Sequence, residues 1–186
     1  QPGEGSLKKV ANALTPEYRN WIMRSRFCIL STIGPEGTDA TPRGDMGPVV
    51  SELDDQHLAL PDWRGNNRID SLRNIVRDPR VSLMFMITGS TTVVRVNGQA
   101  RVTADPDVLS RFDQKGRNPG TVTIIRINEI YTQCARALMR SELWSDQDQS
   151  VGLPSAGDII AAMTKGAIDG KTYDRDWPTR AEESMW

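Results

Sequence analysis

The chain has 186 residues, 38% apolar and 25% charged, with a formal net charge of −1, enough apolar material to build a core without staples. That balance supplies no basic field for nucleic acid or an acidic membrane, and no apolar run approaches the length of a bilayer span. With no signal-like opening segment, the expectation is a cytoplasmic protein with neither nucleic-acid nor membrane partners.

Cysteine and histidine usage narrows the chemistry further. Cys28 in "RFCILSTI" and Cys134 in "QCARALMR" lack metal-ligand or redox spacing and are expected to be buried, reduced packing residues. His57 is the single histidine, too few for a His-rich metal site, and its place before a strand predicts an exposed structural role.

In chain order, "TPEYRNWIMRS" (15–25) predicts a helix with Thr15 as N-cap and Pro16 at its first position. "RFCILSTIG" reads as a strand, "GPEG" (34–37) as a hairpin turn, and "TDATPR" as a return strand broken by Pro42 and Gly44-Asp45. "VVSEL" and "HLALP" form two strands around Asp54-Asp55, and a helix follows Asn66 and ends at Asp78-Pro79. "VSLMFMI" (81–87) is the best central strand, and "TVVRVNGQARVTA" is a long strand whose Asn97-Gly98 is either a tight turn or a bulge. A short helix from Asp105-Pro106 through Phe112 leads to the strand "TVTIIRINEIYT" and then the helix "QCARALMRSELW". Beyond Ser145 the composition is polar, with a small helix around "GDIIAAM" and a tail. About six strands in meander order predict a mainly β fold: an antiparallel sheet closed into a small barrel, with helices outside it.

Between residues 60 and 79, "LPDWRGNNRIDSLRNIVRDP" crowds Asp62, Arg64, Asn66, Asn67, Arg68 and Asp70 ahead of an amphipathic helix. One reading is capping alone, with Asn66 or Asn67 satisfying free helical amides. The other is an anion site, because an arginine in a first helical turn meets the positive end of the dipole unless an anion sits there too. "TPRGDMG" (41–47) adds Arg43 at a strand end beside two glycines, and "RSELW" (140–144) adds Arg140, Ser141 and Trp144. Arg140 could merely complement a helix C-terminus and Trp144 merely seal a core. As a set, these residues offer cations for a phosphate and an aromatic for a flat ring.

"TPRGD" (41–45), "LPDWRGNNRIDSLRNI" (60–75), "DPRVSLMF" (78–85), "VRVNGQARV" (94–102) and "LMRSELW" (138–144) occur in this order. Together they resemble the pyridoxamine 5′-phosphate oxidase-like superfamily, in particular its branch of FMN-dependent enzymes, over residues 20–145. The resemblance implies a six-stranded antiparallel split β-barrel over residues 1–145, with 146–186 as a polar extension packed on the same domain. It further implies a homodimer holding FMN at the subunit interface and an oxidoreductase acting on a small-molecule substrate. Carried over by motif, Arg43 and Arg68 would bind the FMN phosphate, with Asn66 and Asn67 in support. Pro61 and Asp62 would run along the ribityl chain or ring edge, and Arg95, Arg140, Ser141 and Trp144 complete the set, with Arg95, Ser141 and Trp144 approaching the ring from the partner chain. The C-terminal "DRDWPTRAEESMW" (174–186) lacks the Arg-and-Trp pattern of true pyridoxamine phosphate oxidases, and Gln133 stands where related sequences often carry His. The alternatives are a flavin-binding or flavin-sensing protein with little turnover, or the same fold holding deazaflavin or haem.

Overall fold

A computed structural model of the chain describes residues 3–185. A short helix α1 (Glu4–Lys8) precedes α2 (Pro16–Ile22). Thr15 caps α2 as expected: its hydroxyl accepts the Tyr18 amide at 3.3 Å while Pro16 takes the first helical position, where no donor is needed. Ile22, at the end of α2, is fully buried.

Seven strands follow: β1 (Phe27–Gly34), β2 (Gly37–Gly44), β3 (Ser51–Asp54), β4 (His57–Asp62), β5 (Arg80–Met86), β6 (Val93–Thr103) and β7 (Thr121–Gln133). They form one antiparallel sheet in the order β2-β1-β5-β6-β7-β4-β3. The expected six-stranded closed barrel is therefore corrected in two respects. There are seven strands, and the ladder does not close, because β2 and β3 are both edges. The expected break of β2 at Pro42 is corrected: the strand continues through it and ends at Gly44. Pro42 stays within the strand opposite Ile29, tolerated because an edge strand has one side free of the ladder.

Alternation along each strand sends one set of side chains to a common core: Cys28 and Leu30 from β1, Leu58 and Leu60 from β4, Leu83 and Phe85 from β5, Val94 and Val96 from β6, and Ile125, Ile127 and Ile130 from β7. The Asn-Gly step is a bulge, since pairing moves from Asn97 opposite Glu129 to Gly98 opposite Ile127. A side chain at Gly98 would place its Cβ 2.1 Å from the Arg126 carbonyl oxygen, so only glycine fits.

The sheet is strongly curled. Arg43 on β2 forms an ion pair with Asp62 on β4, five places away in strand order. In a flat sheet those strands would lie roughly 24 Å apart. Side chains thus bridge a seam that no ladder hydrogen bond closes.

Helix α3 (Asp70–Arg77) packs across the β1–β2 hairpin. Ile75 enters the core, Ser71 donates to Asp39 at 2.6 Å, and the Asn74 amide donates to Thr32 at 3.1 Å. On the other face of the sheet, α4 (Pro106–Leu109) and a 3-10 turn (Ser110–Phe112) set Val108, Leu109 and Phe112 against Ala59, Val122 and Ile124. Asp105 caps α4 by accepting the Asp107 amide.

α5 (Arg136–Arg140) is only five residues long, shorter than its helical sequence pattern. α6 (Ala156–Met163) is the small helix expected there, with Ser155 and Asp158 forming a capping box. The expected polar tail is instead helical through α7 (Gly170–Ser184). α6 and α7 form a hairpin in which Gly157 and Gly170 bring the backbones together and Asp174 accepts the Gly157 amide at 2.8 Å. Of the two thiols, Cys28 is buried as expected, but Cys134 is exposed because β7 ends one residue before it. Among the described residues, no helix is long and apolar enough to cross a membrane.

Candidate functional site

The end of β2 and the segment after β4 meet at the seam. Arg43 pairs with Cys28 and Asp62 with Thr121, which puts both charged side chains on the inner face. They are 21% and 26% exposed. Arg43 Nε and Thr121 Oγ1 are both buried without a hydrogen-bond partner, an uncommon state for atoms removed from water. Just beyond the strands, the Trp63 indole donates to Asp45 Oδ2 at 2.9 Å, and Asp45 Oδ1 accepts the Met46 amide at 2.6 Å. The motifs "PRGD" and "PDW" are therefore physically joined, by an ion pair on the inner face and a hydrogen bond outside it.

Capping does not explain the polar cluster. α3 starts at Asp70 with Ile69 as its N-cap, and no side chain caps it. The expectation that Asn66 or Asn67 caps the helix, and that Arg68 lies in its first turn, is thus corrected. Residues 63–69 are irregular. Asn66 Oδ1 accepts the Arg68 amide at 3.0 Å, and Asn67 adopts φ 60°, a left-handed conformation that asparagine tolerates. Arg68 is 77% exposed and donates through Nε to Asp70 Oδ2 at 2.9 Å. That bond, followed by the charges of Arg68 and Arg73, holds the Asp70 carboxyl below its usual range. Pro61 is buried on β4, while Arg64, Asn66, Asn67 and Arg68 face solvent.

The remaining predicted residues lie apart from this seam within the chain. Arg95 sits opposite Tyr131 and Met84 on the outer face of the sheet, its guanidinium 5.6 Å from the Tyr131 ring centre and 3.4 Å from Gln133 Oε1. Arg140 and Ser141 close α5, as expected, and the Trp144 indole donates to the Ser90 carbonyl at 2.8 Å in the β5–β6 turn. Arg95 and Arg43 thus occupy opposite faces of one sheet.

Cys28 is the thiol nearest Arg43, but it offers no nucleophile. Burial pushes its pKa up to about 12, against a smaller lowering by the Arg43 charge. His57 lies at the start of β4, partly buried rather than exposed, with Nδ1 2.9 Å from Asp54. Asp45 reads in the sequence only as part of a strand break, and Trp63 and Thr121 carry no site signal, although Asp45 and Trp63 stand inside the quoted motifs. No group of three or more His, Cys, Asp or Glu side chains among the described residues could hold a metal.

A sequence profile described as pyridoxamine 5′-phosphate oxidase matches residues 14–134, from the segment before α2 to the residue after β7. Among solved structures, HupZ of Group A Streptococcus is similar at 15% identity and a TM-score of 0.52, covering 64% of this chain and 93% of its own. A Lactobacillus delbrueckii protein named as a candidate pyridoxamine 5′-phosphate oxidase is similar at 25% identity and a TM-score of 0.51, covering 65% of this chain and 95% of its own. No match is found among curated proteins.

Proposed function

The chain belongs to the pyridoxamine 5′-phosphate oxidase family, and on that premise we propose that it is an FMN-dependent oxidoreductase of split-barrel type that acts on a small molecule. The observation that carries the proposal is Arg43. A guanidinium projecting inward from a strand, with Nε buried and unpartnered, has donor capacity left for an anion at the seam. The phosphate of FMN would sit between Arg43 and the 63–69 loop, where Asn66, Asn67 and Arg68 supply further donors. Pro61 and Asp62 would lie along the ribityl chain or ring edge. Arg95, Ser141 and Trp144, contributed by a second copy, would approach the isoalloxazine, with Arg140 beside them. The bound flavin supplies hydride acceptance, and this chain's residues position it.

A second reading, flavin binding with little turnover, is favoured by one observation. The seam holds no histidine, and its thiol is kept protonated by burial, so no side chain there is an evident proton carrier. Anaerobic mixing with NADPH or NADH separates the two: bleaching of the flavin absorption at a rate that saturates with donor supports the enzyme. Bleaching by dithionite alone supports the binding protein. Sedimentation tests the assembly, with a dimer tightened by FMN expected; a monomer that keeps full flavin affinity would remove the two-chain site. The absorption spectrum of the purified protein identifies the ligand, since deazaflavin and haem each lack the two-banded spectrum of oxidised flavin.

A further inference from the structure

On the outer face of the sheet, away from the seam, lies a groove of about 270 Å³ lined by His57, Pro79, Gln99, Arg101, Ile124 and Arg126. We propose that this groove binds a small phosphate monoester, its phosphoryl dianion between Arg101 and Arg126 and its body over Ile124 and Pro79.

Gln99 on β6 pairs with Arg126 on β7, and Arg101 pairs with Ile124. Arg101 and Arg126 are therefore diagonal neighbours on one face, about 7–8 Å apart, where two like charges repel. Arg80, in the same cross-strand row, has Asp78 as a carboxylate partner. Arg101 and Arg126 have no ion pair or side-chain hydrogen bond among the described residues. A dianion between them would relieve the repulsion and accept from both forks at once.

The other walls fit the same ligand. His57 pairs with Arg126 from the β4 side, and its Nδ1 is occupied by Asp54 at 2.9 Å, which leaves Nε2 to the groove. The Gln99 amide adds a neutral donor and acceptor. Ile124, 9% exposed, and Pro79 make an apolar floor that bare phosphate would not use. The volume lies below the range of about 300–1,000 Å³ for drug-sized ligands, so the body must be small. Leu58 and Leu60 belong to the inner core, and Asp62 shares their face by alternation, whereas His57 faces outward. The groove is therefore separate from the Arg43 seam and does not depend on flavin binding.

Calorimetric titration of the purified full chain with glycerol 3-phosphate, inorganic phosphate and glycerol tests the assignment. Binding of the ester is expected, weakening about tenfold or more in Arg101→Gln and in Arg126→Gln. Glycerol should not bind. Both side chains are exposed, so the variants should melt as the wild type does. Inorganic phosphate binding more weakly than the ester, with the same arginine dependence, supports the floor as part of the site. Inorganic phosphate binding as tightly as the ester would overturn the monoester assignment in favour of free phosphate. No ester binding, or binding indifferent to both substitutions, would overturn the site.

Discussion

The sequence motifs offer Arg43 and Arg68 as equal partners for one phosphate, and the structure sets them in unequal surroundings. Arg43 stands on a strand, 21% exposed, fixed by Asp62 across the seam and left with a buried, unpartnered Nε. Arg68 stands in an irregular loop, 77% exposed, bound to a carboxylate two residues away. A preorganised donor loses little freedom when an anion arrives, whereas an exposed arginine must surrender side-chain entropy and a solvated ion pair. Affinity should accordingly reside in the strand residue, with the loop contributing adjustment.

The largest expected effect is on Arg43. Arg43→Ala should weaken FMN binding about ten- to a hundredfold in a fluorescence titration, while riboflavin, which has no phosphate, should hardly notice. Equal losses for the two ligands would remove the phosphate from this residue. Asp62→Ala comes next, because it leaves a half-buried guanidinium without its carboxylate. Urea denaturation should show a loss on the order of 1–3 kcal/mol, below the penalty for a fully buried pair because both groups retain some solvent. If stability is unchanged, the seam is not held by this pair.

Arg68→Ala should weaken FMN binding about three- to tenfold, with little change in melting temperature. A loss as large as that of Arg43→Ala would break the distinction between strand and loop. The smallest effect concerns Asp70, whose carboxyl is held below its ordinary value of 3.8, first by the Arg68 hydrogen bond. A depressed folded-state pKa adds stability that is present above the ordinary value and is lost as pH falls toward the folded one. The melting temperatures of wild type and Asp70→Asn should therefore converge as pH falls below 3.8. A gap that stays constant with pH would mean that the Arg68–Asp70 pair contributes nothing.

Much of the sheet was legible because alternation and turn chemistry act locally. The Thr15-Pro16 helix start, the Asp54-Asp55 turn and the long apolar strand at 81–86 all follow from neighbours within a few residues. Where local signals competed, the sequence misled. Asn66 and Asn67 look like caps, yet Asn66 bonds the Arg68 amide inside the loop, Asn67 turns the chain at φ 60°, and the helix begins three residues after Asn67. Pro42 looks like a strand end, and only its edge position, a tertiary fact, lets the strand continue. The exposure of Cys134 depends on where β7 stops. Helix α7 went unread because its aromatic residues pack on one another and on Arg180 rather than on a core stripe. At the site, the arginines and asparagines were visible in the motifs. The inward direction of Arg43, its pairing with Asp62 and the Asp45–Trp63 bond needed the curl of the sheet.

Recognition of a flavin through its phosphate at the seam is tested most directly by titrating the ligand-stripped wild-type protein in parallel with FMN and riboflavin. FMN should bind at least about tenfold more tightly, the contribution of one or more charge-assisted hydrogen bonds to the phosphate. Equal affinities for the two, or no binding of either, would contradict it.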